Sequence, residues 1–308
     1  MSIFDIPPPH DNIWVYPEIL RRMLYLQRRG LCDWKIYGKS TLGRNLWYTI
    51  IGSGDRKVML CARQHGTEYT STHSLIHMMN TMVKEPGRWS EVLSSLKICI
   101  VPVYNVDGAI YYDWIRRHGN SLHYKIMGMV NLTTGRTINR INGDPNRDHE
   151  KQKFPETRAF NRLMLDFKPE VFLDLHNFGF ATNLFTVKRK LQKRSCVCPL
   201  VQNNADPEFR HLILESLKIA HILQRGIRNG GLTPAKVNEI YPAMLNMDSV
   251  LRKIGCAPNY YLQKHRIPGI TVETMGDFGM GDIFIHQSVP ATILGIREVL
   301  DAMVSGEL

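Results

Sequence analysis

The feature that most constrains this chain is a recurrence of short, almost wholly apolar runs: Leu46 to Ile51, Val58 to Ala62, Leu96 to Val103, Val171 to Leu175 and Ile270 to Val272. Runs this short and this apolar read as strands buried on both faces, the pattern of a sheet covered by helices. Segments of helical period lie between them: Thr72 to Val83, Glu156 to Phe167 and Glu208 to Arg225. Nearer the start, Pro17 to Arg29 sets Ile19, Leu20, Met23, Leu24 and Leu26 on one helical stripe. This alternation predicts an α/β fold whose central sheet is mixed and largely parallel, flanked by helices. No Gly/Ser/Pro-rich linker, low-complexity run or internal repeat divides the 308 residues, so one domain over 1–308 is expected.

The polar residues that follow these runs matter most, because ligands of open α/β sheets bind at strand ends. Val58 to Ala62 leads into Arg63-Gln64-His65-Gly66-Thr67-Glu68 just before a helical pattern begins. A His and a Glu three residues apart on such a turn can face a common centre, and imidazole nitrogen and carboxylate oxygen both suit zinc. Alone, His-x-x-Glu is an ordinary find in a chain with this many His and Glu. Val171-Phe172-Leu173-Asp174-Leu175-His176 ends a strand in a histidine, and strand alternation puts Asp174 on its face, where it can approach the same centre or orient the ligand. A lone strand-end histidine is more often a polar cap. Gly269-Ile270-Thr271-Val272-Glu273 carries one carboxylate at a strand end, suited to take a proton from water; by itself it reads as a strand-edge charge. Arg140-Ile141-Asn142-Gly143-Asp144-Pro145-Asn146-Arg147-Asp148 gathers guanidinium and amide donors that can grip a carboxylate, although a Gly/Pro/Asn turn with charges looks the same.

Taken in order, these elements resemble the zinc metallocarboxypeptidase family of the carboxypeptidase A type, as a short bacterial-type member, over nearly the whole chain. Tyr16-Pro17-Glu18-Ile19 opens the match. Gly38-Lys39-Ser40-Thr41-Leu42-Gly43-Arg44 is similar to the family's Gly-x-Ser-x-x-Gly-Arg. His65-Gly66-Thr67-Glu68 follows, then Pro102 to Gly108, with Val106 where proline is usual. Gly143 to Arg147, Pro155-Glu156-Thr157-Arg158-Ala159, Asp174-Leu175-His176 and Thr271-Val272-Glu273 complete the series. The resemblance implies about eight strands and one zinc ion per chain held by His65, Glu68 and His176. It implies Glu273 as the base that activates a zinc-bound water, and Asn146 and Arg147 as the anchor of a substrate's terminal carboxylate. For the arginine that stabilises the oxyanion, Arg140 is preferred, with Arg116 and Arg117 competing. Tyr260 or Tyr261 corresponds to the family's substrate-covering tyrosine, or both pack in the core. The implied activity is hydrolysis of the C-terminal peptide bond of a peptide or peptide-like substrate. The alternatives are deacylation of a small N-acyl amino acid with a free carboxylate, or a non-catalytic binding module on the same fold.

A formal charge of +11 favours anionic partners in general. The densest basic run, Lys188 to Arg194, has no interleaved aromatics, so a solvated surface is expected there and nucleic acid is not an expected partner. The six cysteines are dispersed, two of them (Cys61 and Cys99) inside apolar runs, which favours free buried thiols over a disulfide framework. The opening residues lack a basic start with an apolar core, and no run is long enough to span a bilayer, so a cytoplasmic, non-membrane protein is expected. Nothing in the sequence sets an oligomeric state.

Overall fold

The computed structural model describes residues 14–118, 144–178, 197–201, 206–238, 256–275 and 285–308, without the side chains at 115–118, 178, 275, 285 and 286. Among these, eight helices surround one seven-stranded sheet. The helices are α1 (Tyr16–Arg28), α2 (Tyr69–Lys84), α3 (Pro86–Ser95), α4 (Val106–His118), α5 (Pro155–Phe167), α6 (Arg210–Asn229), α7 (Ala257–His265) and α8 (Ile285–Val304). The strands are β1 (Lys35–Lys39), β2 (Asn45–Ile51), β3 (Arg56–Ala62), β4 (Leu96–Val101), β5 (Val171–Phe178), β6 (Val197–Leu200) and β7 (Gly269–Met275).

Strand order is β1-β2-β4-β3-β5-β7-β6. The inner block β4-β3-β5-β7 is parallel, while β1, β2 and β6 join antiparallel. The sheet is therefore mixed, with its parallel part at the centre. All five apolar runs are strands. The two strands that the apolar pattern does not reveal are at the edges. β1 begins and ends in lysine, which blunts an edge, and β6 contains Pro199, tolerated there because an edge strand can forgo a ladder donor.

Strand alternation sorts the sheet into two faces. Val58, Leu60, Ile98, Ile100, Leu173, Leu175, Ile270 and Val272 enter one large core with residues of α1, α2, α3, α6 and α8. The opposite side chains, Met59, Cys61, Cys99, Val101 and Phe172, pack beneath α5 and α7 with Tyr104, Phe160, Tyr260 and Tyr261. Asp174, His176 and Glu273 share the parity of this second face. The described cysteines, Cys32, Cys61, Cys99, Cys198 and Cys256, are buried, and no disulfide joins any two of them. No described helix is long and apolar enough to cross a membrane.

Several segments quoted for the resemblance prove to be braces. Asp107 at the start of α4 accepts from Ser40 Oγ (2.9 Å), Leu42 N (2.9 Å) and Arg44 Nη1 (2.5 Å), tying the turn between β1 and β2 to the helix. Glu156 binds Thr41 through its N (2.7 Å) and Oγ1 (3.0 Å). A Cβ on Gly38 would lie 2.5 Å from Ala159 Cβ, so only glycine lets β1 pack this closely on α5.

Candidate metal centre

β3 ends in a sharp turn. Arg63 there takes φ 60°, a left-handed conformation that costs a non-glycine residue about 1–3 kcal/mol and needs surrounding structure to hold it. That support is present: Arg63 is fully buried, its Nε donates to Gly66 O (2.9 Å) and its Nη2 to Asp113 Oδ1 (3.2 Å). Its backbone N donates to Ser71 Oγ (3.2 Å), and its O accepts from Asn105 N (3.0 Å). The loop His65–Glu68 is thus pinned to α2 and to the segment before α4. Gly66 packs against the backbone of Gly108, where any Cβ would collide.

The pinned loop brings His65 and Glu68 to His176 at the end of β5. One ligand atom from each of the three lies within 4.8 Å of the others. His65 Nδ1 is 2.5 Å from Glu68 Oε1, and His176 Nδ1 is 2.9 Å from Glu68 Oε2. Both imidazoles turn their other nitrogen to a carboxylate: His65 Nε2 to Asp144 Oδ1 (3.3 Å) and His176 Nε2 to Asp174 Oδ2 (2.9 Å). A carboxylate behind each histidine fixes the ring and raises its basicity as a ligand. Glu68 Oε2 is buried and makes no aligned hydrogen bond among the described residues, although His176 Nδ1 is close.

The electrostatics favour a cation at this point. Burial alone would lower the pKa of His65, but Glu68 and Asp144 outweigh it and raise it to about 9. Burial also opposes charge on His176, yet Asp174 and Glu68 hold its pKa well above the ordinary value. Burial would raise Glu68, and the two facing histidines instead hold it at about 2. Asp144 is held at about 2 in the same way, by His65 and Arg147 against burial. Two nitrogen donors and a carboxylate, each braced and gathered around one point, fit a divalent ion such as zinc.

Glu273 is the register partner of His176 across the parallel β5–β7 pair, and it is buried. The 3-10 turn Pro145–Arg147 supplies the next residues. Asn146 N donates to Asp144 Oδ1 (2.8 Å), Asn146 Oδ1 accepts from Ala257 N at the start of α7 (3.1 Å), and Arg147 Nη1 donates to Asn146 O (3.1 Å). The turn that carries Asn146 and Arg147 is therefore the one that braces His65. Tyr260 and Tyr261 are packed in the aromatic cluster of α7, Tyr261 fully buried and Tyr260 OH accepting from Gln152 Nε2 (3.1 Å). Arg140 lies outside the described residues, as do the side chains of Arg116 and Arg117. The basic run Lys188 to Arg194 is also outside them. The sequence offers no role for Gln64 or His149, which join the centre through Asp174. Only a neighbour's spacing, Gln64 beside His65 at a strand end, hints at the first.

The family model described as zinc carboxypeptidase matches residues 23–195, more than half of the chain. A probable carboxypeptidase 2 of Trichophyton verrucosum is 27% identical over 135 residues, 44% of this chain and 21% of that protein, so the match spans about a fifth of the relative's length. Bovine thrombin-activatable fibrinolysis inhibitor, solved with a tick carboxypeptidase inhibitor, superposes with a TM-score of 0.67 at 13% identity, covering 97% of this chain and 99% of that one. A Pseudomonas aeruginosa metallo-carboxypeptidase, solved with (2-guanidinoethylmercapto)succinic acid, gives a TM-score of 0.62 at 16% identity, covering 95% and 68%. At these identities the solved structures share the fold.

Proposed function

Because the chain belongs to the zinc carboxypeptidase family, we propose that it is a zinc-dependent carboxypeptidase that removes the C-terminal residue of a peptide or peptide-like substrate. The observation that carries this reading is the convergence of His65, Glu68 and His176, each histidine backed by a carboxylate, beside Glu273 at the ends of β5 and β7.

His65 and His176 would hold zinc through Nδ1 and Glu68 through its carboxylate. Zinc there would supply Lewis acidity, polarising a carbonyl and lowering the pKa of water. Glu273 takes the proton from the attacking water and returns it to the departing amine, a task that needs a carboxylate and that an amide cannot perform. Asn146 and Arg147 bind the free α-carboxylate, the guanidinium through its planar fork. Because the same turn braces His65 through Asp144, carboxylate anchor and metal ligand keep a fixed separation. That separation is what restricts cleavage to the last peptide bond. The carboxylate-bearing compound in the Pseudomonas relative supports a substrate of this class.

The test pairs metal analysis with two substrates. Purified protein dialysed against metal-free buffer should retain about one zinc per chain by plasma mass spectrometry. It should then hydrolyse an N-acyl dipeptide with a free C-terminus and leave the C-terminal amide intact. Equal cleavage of both substrates would remove the exopeptidase reading, and absence of zinc uptake would favour a binding module. Preference for acyl amino acids over dipeptides would favour the deacylase.

A further inference from the structure

Behind His176, a line of hydrogen bonds runs into the protein through three separate segments. Gln64, at the end of β3, donates from Nε2 to Asp174 Oδ2 at 2.8 Å. The same oxygen faces His176 Nε2 at 2.9 Å. At the other end of the Gln64 amide, Oε1 lies 3.0 Å from His149 Nε2. His149 follows the Pro145–Arg147 turn and is fully buried.

The polarity of the line follows from its chemistry. An amide oxygen only accepts, so His149 Nε2 must carry its proton. The Gln64 amide is then fixed with its NH2 toward Asp174. Asp174 Oδ2 accepts from Gln64 and faces His176 Nε2, an arrangement that turns His176 Nδ1 toward Glu68 and the metal position. His149 Nδ1, buried and with no hydrogen-bond partner among the described residues, is the bare nitrogen that this tautomer requires. Rings of Tyr104, Phe160, Tyr260 and Tyr261 surround His149, with centroids 5.8–6.3 Å away. The preceding Asp148 anchors the loop by accepting from Lys153 N (3.0 Å) and Phe154 N (2.8 Å). Asp174 Oδ1 has no hydrogen-bond partner among the described residues, so Gln64 is one of only two donors to a fully buried carboxylate.

We propose that Gln64 and His149 are positioning residues, which hold Asp174 against His176 and so keep the His176 Nδ1 lone pair aimed at the metal. The inference rests on the zinc reading above. Neither residue touches the metal or the substrate; both act through Asp174.

The experiment measures the zinc dissociation constant by competition with a chromophoric chelator, together with melting temperatures of the metal-free and zinc-loaded protein. Wild type is compared with Gln64→Leu, Gln64→Glu, His149→Phe and His149→Gln. Gln64→Leu removes both links, and Gln64→Glu, of nearly unchanged volume, replaces the donor by an acceptor. Loss of such outer support should weaken zinc binding by about 10- to 100-fold in both Gln64 variants and in His149→Phe. His149→Gln keeps an N–H donor and should bind zinc more tightly than His149→Phe. A role confined to folding would lower the metal-free melting temperature and leave zinc affinity within about twofold of wild type in all four variants, which would overturn the inference alone. Wild-type protein that takes up no zinc would overturn the metal reading and this inference with it. Should Gln64→Leu not fold, Gln64→Glu and the His149 pair decide the matter.

Discussion

On one face of the sheet, β3, β5 and β7 present Leu60, Leu173, Leu175, Ile270 and Val272, all fully buried against helices of the large core. On the other, the same strands present Cys61, Asp174, His176, Thr271 and Glu273, buried as well, with Thr271 and Glu273 the least so. The first face needs only apolar volume, and each side chain there is worth about 1.5–3 kcal/mol of burial. The second needs partners, because a buried polar group without them costs more than it returns. The structure supplies them residue by residue: Asp174 for His176, Gln64 for Asp174, His149 for Gln64 and Asp144 for His65. A single strand thus has an interchangeable side and an exacting one.

Four experiments can break or sharpen that contrast. The largest effect is expected for His176→Ala, which should abolish zinc retention and hydrolysis together; zinc content by mass spectrometry decides, and a fully loaded variant would dissolve the metal assignment. Next comes Glu273→Gln, the register partner of His176 on the neighbouring strand and the same face. It should keep zinc and lose about 10²–10⁴-fold in kcat, as expected for a general base. Unchanged turnover would remove Glu273 from that role. On the apolar face, Leu173→Ala should cost about 2–5 kcal/mol in urea unfolding through cavity formation, with zinc affinity of the folded protein untouched. A loss of zinc affinity there would show that the faces are coupled.

The smallest expected effect is a pH dependence. Burial lowers the His149 pKa from 6.5 to about 4, despite the neighbouring carboxylates of Asp174, Asp148 and Asp144 that pull it upward. Its folded pKa lies below the unfolded one, so between pH 6.5 and 4 the unfolded chain binds a proton that the native state refuses. Stability should therefore fall across this window by up to about 3 kcal/mol, and in His149→Gln that share of the fall should disappear. Urea midpoints of metal-free wild type and variant at the two ends of the window make the comparison. Parallel slopes in both proteins would mean that His149 is hydrated and accepts its proton freely.

What the sequence determined by itself is the sheet's interior and the set of residues that could hold a metal. Buried parallel strands must be apolar along their length, so Val58 to Ala62, Val171 to Leu175 and Ile270 to Val272 are legible as they stand. Edge strands are not so constrained, and β1, with its lysines, and β6, with Pro199, escaped the same pattern. His65, Glu68, His176 and Glu273 stood out because few residue types hold a metal or accept a proton, and because they follow the apolar runs in order. The brace of Asp107 on Ser40 and Arg44, the line from His149 to His176 and the packing of Tyr260 and Tyr261 were decided by tertiary structure alone. Gln64 and His149 are separated by 85 positions, and Gln64 and Asp174 by 110. Periodicity reports a residue's own environment along one element. A hydrogen bond between elements depends on how three segments are brought to one point, and no local pattern carries that distance.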